Sequence, residues 1–208
     1  VWLLLLMAVL AAAMDVRLTW QHTRNASKAL KAGVFTLLLP VVVAGLSIWA
    51  APRQFPLLVQ ALLTVGVVTA FGPLVYRLAY QSLADASSLT LLIVSVGVHF
   101  AMTGLGLLFF GAEGFRNPSF WDARFNLGPV AVTGQAVIIV GMSLALIGLL
   151  WQFFEHTLYG KALRATAVNR LGARLVGTRT TPSGQSAFLL ASVIGALSGI
   201  LIVPITTL

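Results

Sequence analysis

The residues able to do chemistry in this chain are few, and their spacing forms no recognisable catalytic or metal-binding pattern. The sequence holds five acidic residues, three histidines and no cysteine, which excludes a disulfide framework and a thiolate metal site. It contains no carboxylate pair, serine triad or histidine–carboxylate cluster, and no GxxxxGK[ST] stretch that would cradle ATP phosphates. We therefore predict that the chain is not an enzyme, hydrolyses no ATP itself and carries no cofactor.

His99 is the titratable residue with the most unusual position, because it lies in the middle of a long apolar run. An ionisable side chain at membrane depth is a functional candidate. The structural alternative is a neutral imidazole bonded to a neighbouring helix. The sequence leaves both interpretations open.

The segment 159–184, YGKALRATAVNRLGARLVGTRTTPSG, carries five basic side chains and no acidic one. At about 100° per residue, one helical face would hold apolar side chains and the opposite face basic ones. The apolar face consists of Val168, Leu171 and Leu175, and the basic face consists of Arg170 and Arg174. This pattern is typical of a short amphipathic helix.

The predicted amphipathic helix spans 167–176, after a stretch 159–166 that continues the preceding apolar helix. We expect Gly177 to end it in a left-handed cap and TTPSG to form a turn. A helix of this kind can lie on anionic lipid head groups or bind a partner protein. Its periodicity alone does not choose between these two.

The elements that must position these residues follow from composition. The chain of 208 residues is 59% hydrophobic and 9% charged, whereas a soluble domain has about a quarter charged residues. Long apolar runs indicate membrane-spanning helices, because lipid leaves no other way to pair the backbone. We predict an all-α integral membrane protein, a single transmembrane domain over 1–208, with spans at Val1–Met14, Ala32–Ala50, Leu57–Tyr76, Ser88–Phe110, Thr133–Phe154 and Ala187–Ile205.

The first of these runs is shorter than a span, and it could be the core of a signal peptide or the end of a longer span. We prefer the second, because no basic residues precede it and no cleavage site is evident. The segments Asp15–Lys31 and Arg77–Ser87 are expected to be polar connections, and Gly111–Val132 a longer mixed loop.

The orientation follows from the basic residues, since cytosolic loops are enriched in Lys and Arg. Ten of the thirteen fall after the first, third and fifth spans, and the other three are Arg53, Arg116 and Arg124. The segment 155–186 is therefore predicted to be cytosolic, and the loop with Trp121 to face outside. The formal charge of +8 could suit nucleic acid, but membrane orientation explains it better, so no nucleic-acid partner is expected.

Small residues recur every four positions along the last span, at Ala187, Ala191, Gly195 and Gly199. Such a stripe lets helices approach closely in a membrane. We expect it to serve packing inside the chain, with a contact between subunits as the alternative.

Three stretches carry a resemblance to a known family: LTLLIVSVGVHFAMTGLGLLFFG, EHTLYGKALRATAVNRLGARLVG and AFLLASVIGALSGILIVP. Over about 75–208 the chain resembles the permease family of ABC importers for branched-chain amino acids and related small solutes. The first stretch resembles a span with a mid-membrane glycine, for which Gly97 is the candidate. The chain is interpreted as a fragment or a divergent member, since its first 55 or so residues lack the family's usual opening.

The second stretch is the most specific, and it resembles the family's cytosolic loop. Where the family has an acidic residue after Ala-Thr-Ala, this chain has Val168 and Asn169. The positions that match are Gly160, Ala162, Arg164, Ala165, Thr166, Ala167, Ala173 and Gly177.

The resemblance implies a multi-pass permease subunit of the bacterial inner membrane. Its partners would be a pair of cytosolic ATPase subunits that use ATP, a second permease subunit, identical or homologous, and a periplasmic solute-binding protein. The helix 167–176 would be the coupling helix, with its leucines in a groove of the ATPase, its arginines at the rim, and Gly172 and Ala173 permitting close approach.

The resemblance assigns ATPase coupling to Arg164, Ala165, Thr166, Ala167, Arg170, Leu171, Ala173, Arg174, Leu175 and Gly177. The candidates for translocation or packing are Gly97, His99, Gly195 and Gly199. The alternative function is a membrane enzyme, or a structural membrane protein, whose basic loop binds lipid head groups. Because no cluster of polar catalytic residues is visible at either membrane surface, the transporter interpretation is favoured.

Overall fold

The structure is a computed structural model that describes residues 1–23, 26–53, 55–84, 86–111, 113–114, 117–127, 130–178 and 180–205. Its helices are α1 (Trp2–Thr23), α2 (Ala26–Ala50), α3 (Leu57–Val75), α4 (Ser88–Phe110), α5 (Gly134–His156), α6 (Leu158–Val168), α7 (Arg170–Leu175) and α8 (Thr180–Ile202). A π-helical turn, Tyr76–Tyr80, and a 3-10 turn, Gln81–Leu83, extend α3. Two short strands, β1 (Arg124–Leu127) and β2 (Val130–Thr133), complete the elements.

Six of these helices are long and apolar enough to cross a membrane. The predicted all-α membrane class is therefore confirmed. The bounds of α4 are those predicted, and α5 begins one residue later and ends two residues later than expected. Each of these helices is long enough for a bilayer. Two of them have a side-chain cap at the N-terminus: the Ser87 hydroxyl accepts from the Thr90 amide at 3.3 Å, and the Thr133 hydroxyl accepts from the Ala136 amide at 3.3 Å.

The predicted polar connection Asp15–Lys31 is wrong, because α1 continues to Thr23 and α2 begins at Ala26. The stretch between Asp15 and Lys31 contains no glycine or proline, the two residues that most disfavour a helix interior, so α1 and α2 extend into it from both sides. Arg24, one of the basic residues used for the orientation, lies outside the described residues, as do Arg116 and Arg179.

The predicted loop 111–132 contains a β-hairpin, which the helical-span analysis did not foresee. Strands β1 and β2 pair antiparallel, with Arg124 opposite Thr133 and Phe125 opposite Val132. This pairing satisfies backbone groups of the loop. The ring of Phe125 packs edge-on against Trp121, with centroids 5.3 Å apart.

Helix α8 begins at Thr180, so the predicted turn at TTPSG is wrong. The first backbone amides of a helix have no intrahelical acceptor, and Pro182 occupies a position where its missing N–H breaks no hydrogen bond. The amphipathic segment is therefore connected to α8 by a shorter linker than the sequence suggested.

The chain divides into two compact units. Unit one comprises Val1–Ala112 and Phe188–Ala196, and unit two comprises Glu113–Ala187 and Leu197–Leu208. In unit one, α1 packs against α2 and α3 through small and aliphatic side chains. The buried cluster there consists of Leu4, Met7, Ala8, Ala11, Ala44, Ala70 and Leu74.

Helix α3 meets the 188–196 part of α8 at Gly72 in unit one. A Cβ atom at Gly72 would lie 2.4 Å from the Phe188 carbonyl oxygen and 2.4 Å from Ser192 Oγ. The Ser192 hydroxyl also donates to the Thr69 carbonyl at 3.1 Å. The contact therefore requires glycine at position 72, as expected where helices in a membrane pack closely.

In unit two, Gln135 connects the loop that carries the hairpin to two helices. Its Nε2 donates to the Leu201 carbonyl at 2.9 Å, and its Oε1 accepts from the Phe120 amide at 3.0 Å. Gln135 is buried, so these hydrogen bonds satisfy an amide that burial would otherwise penalise. The hairpin loop is thereby held at the start of α5 and the end of α8.

Candidate functional site

The basic segment leaves the membrane-spanning helix α5 at a break, not as a continuation of it. Thr157 adopts an extended conformation (φ −104°, ψ 147°). Its hydroxyl accepts from the Gly160 amide at 3.0 Å and donates to the Phe153 carbonyl at 2.6 Å. The prediction that 159–166 continues the fifth span is therefore wrong, because Thr157 ends α5 and caps α6.

Gly160 explains one of the matched motif positions. A Cβ atom there would lie 2.3 Å from the Phe153 carbonyl oxygen and 2.7 Å from the Phe154 Cα. Only glycine lets α6 fold back so closely on the last turn of α5.

Arg164 adds a second connection between α5 and α6. Its guanidinium lies 2.9 Å from the Glu155 carboxylate and donates to the Phe154 carbonyl at 2.8 Å. Both side chains of the ion pair are about half exposed, so the pair contributes at most about 1 kcal/mol. Its effect is mainly to orient α6 against the C-terminal end of α5, where a positive charge is favourable.

The predicted helix 167–176 is interrupted at Asn169, so its predicted extent is wrong. Asn169 is extended (φ −148°, ψ 100°), and its Oδ1 accepts from the Gly172 amide at 2.9 Å. Asparagine forms such local hydrogen bonds in competition with the helix. Ala167 and Val168 therefore belong to α6, and α7 alone, Arg170–Leu175, is the separate short helix.

Gly177 ends α7 as predicted. Its φ of +85° is in the left-handed region. The Gly177 amide donates to the Arg174 carbonyl at 3.0 Å and the Thr178 amide to the Ala173 carbonyl at 2.9 Å. This pair of bonds defines the Schellman motif.

Ala173 is buried within the chain, at 4% exposure. The expectation that its small size permits the approach of a partner is therefore corrected. Ala173 is on the buried face of α7, which explains its small size, and its side chain is not available at the surface.

The surface of α6 and α7 is apolar to an unusual degree. Val168, Leu171 and Leu175 are 88%, 70% and 82% exposed. Together with the exposed Val176 we call them the α7 patch. Arg174 is exposed beside it, and Arg170 is half-buried. Contiguous exposed apolar side chains mark a surface that another protein or a membrane covers.

The remaining motif residues flank this patch. Ala165 and Ala167 are exposed on α6, and Thr166 is half-buried, with its hydroxyl donating to the Ala162 carbonyl at 2.8 Å. Of the matched residues, Gly160 and Gly177 thus shape the break before α6 and the cap of α7, and Ala165 and Ala167 are exposed at the surface.

The small-residue stripe of α8 is exposed among the residues that the structure describes, so the expected close packing inside the chain is not seen there. Ala187, Ala191, Gly195 and Gly199 are all exposed, and a Cβ atom added at either glycine meets no atom within 4 Å. The face that packs in unit one holds Phe188 and Ser192, one position further along the helix. One residue rotates the helical face by about 100°, so the stripe and the packed face of α8 point in different directions.

Gly97 and His99 lie on α4, none of whose residues 88–110 is buried. Among the described residues, the His99 ring contacts Phe100, with centroids 5.7 Å apart, and forms no hydrogen bond to a neighbouring helix. The structure therefore places Gly97 and His99 on one exposed helix of unit one.

Unit one contains a charged cluster that was not predicted from the sequence. Arg77 Nη1 lies 2.6 Å from Asp15 Oδ2, the Thr36 hydroxyl donates to the same oxygen at 2.5 Å, and Arg77 also donates to Thr36. The ion pair is mostly buried, with side-chain exposures of 19% and 17%. These three residues come from the π-helical turn, α1 and α2, so we name them the Asp15–Arg77 cluster.

Arg77 was expected in a cytosolic connection, and that placement is wrong because it lies in the helical segment Leu57–Leu83. The π-helical turn inserts one residue into the ladder and so changes the direction of the side chains that follow. An opposite charge at the end of a neighbouring apolar run, here Asp15, was the signal that could have indicated the pair.

Comparison with known proteins gives a consistent result. The model of the family described as "Branched-chain amino acid transport system / permease component" matches residues 3–208. The chain is similar to the high-affinity branched-chain amino acid transport system permease protein LivH of Salmonella typhimurium strain LT2 and to that of Escherichia coli strain K12. Each is 25% identical over 142 residues, which cover 65% of this chain and 46% of the relative.

The chain thus spans about half the length of the curated relatives it matches. No solved structure matches it. The family match begins at residue 3, and so it includes the N-terminal region in which the motifs were not recognised.

Proposed function

Because the chain belongs to the permease component family of branched-chain amino acid transport systems, we propose that it forms a membrane-spanning subunit of an ABC importer. Its solutes would be branched-chain amino acids or related small solutes. The observation that carries the proposal is the family match over 3–208 together with six helices that can span a membrane.

The proposed location is the bacterial inner membrane, with 155–186 in the cytosol. The basic residues of this segment support that orientation. The proposed partners are a pair of ATPase subunits, which bind and hydrolyse the ATP, a second permease subunit, identical or homologous, and a periplasmic solute-binding protein. The exposed stripe of α8 is a candidate surface for the second permease subunit.

The α7 patch is the proposed contact with the ATPase. Leu171 and Leu175 project from a helix that is held at both ends, by the Asn169 cap and by the Gly177 motif. A helix held in this way moves as a rigid element. Because Gly160 and Arg164 fix α6 on the end of α5, a displacement of α7 by the closing ATPase dimer would reach α5.

The second candidate function is lipid binding by the same segment. Exposed leucines next to Arg174 also suit an interfacial helix on anionic lipid. The two candidates differ in what the leucines contact, so the same substitutions distinguish them.

The test uses Leu171→Ser/Leu175→Ser in the full-length permease, expressed with its ATPase and binding-protein subunits. Leu158→Ser serves as the control, since Leu158 is 84% exposed but lies at the start of α6. Removing two apolar contacts from the centre of an interface is expected to lower ATPase recovery about tenfold or more. Uptake of labelled L-leucine, L-isoleucine and L-valine should fall with it.

Normal recovery and uptake, combined with weaker binding to anionic vesicles, would support the lipid alternative and contradict coupling. Loss of the ATPase from the Leu158 variant alone would also contradict coupling through the α7 patch. Failure of the unaltered complex to transport any branched-chain amino acid would contradict the proposed solute.

A further inference from the structure

Unit one contains a cavity of about 700 Å³. It lies where α2 ends and α3 begins, beside the last turns of α4 and the first turn of α1. Its volume is in the range of small-molecule sites, which are mostly apolar with a few placed polar groups. The proposed orientation puts this end of the helices outside, on the side from which an importer receives its solute.

The polar groups of the cavity lie at one end. Arg53 is held with its guanidinium carbon 3.6 Å from the centre of the Trp49 ring, and Nη1 donates to the Trp49 carbonyl at 3.0 Å. A guanidinium has five N–H donors, so donors remain for an anion. No acidic side chain among the described residues lines the cavity, which makes the site complementary to a carboxylate.

Hydrogen-bond acceptors come from the first turns of α3. Gln60 uses Nε2 to donate to the Phe55 carbonyl at 2.8 Å, which leaves its Oε1 as an acceptor. The Thr64 hydroxyl donates to the Gln60 carbonyl at 2.9 Å, and its lone pairs are likewise available. Neutral oxygens of this kind accept from an ammonium group.

The same face of α3 becomes apolar further along the helix. Gln60, Thr64, Val67 and Phe71 follow at helical spacing and all line the cavity, together with Met102 of α4. Residues spaced by three or four positions share a helical face. The cavity therefore offers a cation and neutral acceptors at one end and an aliphatic and aromatic wall beyond them.

We propose that this cavity binds the transported aliphatic α-amino acid within the permease. Arg53 would bind the carboxylate, Gln60 and Thr64 the ammonium group, and Val67, Phe71 and Met102 would surround the side chain. The inference rests on the proposed function and extends it, since it assigns to the permease its own solute site. A phospholipid, which also combines charge with an apolar part, is the competing occupant.

The test uses the full-length permease in lipid nanodiscs, with and without its partner subunits. Val67→Trp fills the cavity, and Val59→Trp is the matched control, because Val59 lies on the same helix outside the cavity. Binding of labelled L-leucine to the purified permease should be lost in the first variant and unchanged in the second. Uptake by the complete assembly should follow the same pattern.

Arg53→Gln tests the carboxylate contact, with Arg124→Gln as the control in an exposed loop. Loss of a charge-assisted hydrogen bond is expected to weaken L-leucine binding about tenfold. Binding of L-leucinol, which has no carboxylate, should not change. This comparison also decides the proposal if Val67→Trp fails to fold.

Equal L-leucine binding in Val67→Trp and Val59→Trp would overturn the cavity site and leave the importer function standing. The cavity site would also be overturned if native mass spectrometry detected a bound phospholipid that Val67→Trp displaces while uptake stays normal. If the unaltered assembly transports no branched-chain amino acid, these amino acids are excluded as the solute of the proposed importer. Absence of L-leucine binding to the purified permease would overturn the cavity proposal, whatever the complete assembly transports.

Discussion

Arg77 and Asp15 are opposite charges placed in helical segments that are mostly apolar, and each is mostly removed from solvent. A single charge at this depth is costly, whereas a paired and hydrogen-bonded one is tolerated. Thr36, at 6% exposure, adds a hydroxyl that both groups use. The cluster thereby joins α1, α2 and the π-helical turn through charge, where the rest of unit one is joined by small and aliphatic side chains.

Arg77→Leu is expected to destabilise the protein by about 3–5 kcal/mol, because it leaves Asp15 buried without its partner. The double variant Asp15→Asn/Arg77→Leu should lose less than the sum of the two single variants. Thermal unfolding of the purified protein in nanodiscs measures both, with Arg124→Leu as the exposed control. Strictly additive losses would show that the two side chains do not interact.

Gly72→Ala is expected to cost about 1–3 kcal/mol, as overpacking does, since its new methyl group would meet the Phe188 backbone. Gly66→Ala is the matched control on the same helix, where an added Cβ atom meets nothing within 4 Å. The control should be neutral or slightly stabilising, because alanine favours the helix more than glycine does. Equal thermal stability of the two variants would contradict the close packing of α3 on residues 188–196 of α8.

At the scale of elements, the basic segment after α5 consists of two helices with defined ends. Thr157 and Asn169 each end one helix and cap the next, and Gly177 closes α7. The break at Asn169 changes the direction of the chain between Val168 and Leu171. It thereby decides which apolar side chains belong to the helix that we propose contacts the ATPase.

Asn169→Ala is expected to remove the cap of α7 at a cost of about 1 kcal/mol and to favour one continuous helix through α6 and α7. Spin labels at Ala165 and Leu175, both exposed, should then show a changed and narrower distance distribution. Uptake should fall although ATPase subunits still assemble. Asn169→Asp, which keeps an acceptor, should restore the original distances; unchanged distances in Asn169→Ala would contradict the role of the cap.

At the scale of the whole molecule, the described part of the chain contains six helices able to span a membrane, and the basic residues of the sequence are unevenly distributed. The loop before α5 carries the β-hairpin and is anchored through Gln135, and the segment after α5 carries α6 and α7. These two lie at opposite ends of α5. If α5 crosses the membrane, they face opposite compartments.

Single cysteines test this arrangement cleanly, because the chain has no cysteine of its own. Asn117→Cys should react with a membrane-impermeant maleimide in intact cells, and Lys161→Cys only after permeabilisation. Both positions are exposed, whereas Ser183 at the same end as Lys161 is buried at 9% exposure and would react poorly. Reaction of both cysteines in intact cells would contradict the proposed topology.

The sequence by itself determined the features that depend on neighbouring residues. Span α4 has the predicted ends, because hydropathy and the cap at Ser87 are local properties. The left-handed cap at Gly177 was predicted correctly for the same reason. The family resemblance of the basic segment was likewise visible in one continuous stretch, and the comparison confirmed the family.

Only the tertiary structure decided which distant residues meet. Asp15 and Arg77 are 62 positions apart. Phe188 and Ser192 of α8, and not the neighbouring small-residue stripe, pack against α3, because Gly72 lies opposite them. Ala173 is buried because other parts of the chain cover it, which its own helical period could not show. Hydropathy specifies that a helix crosses the membrane, but the face it buries depends on the shape and charge of partners that are remote in the sequence.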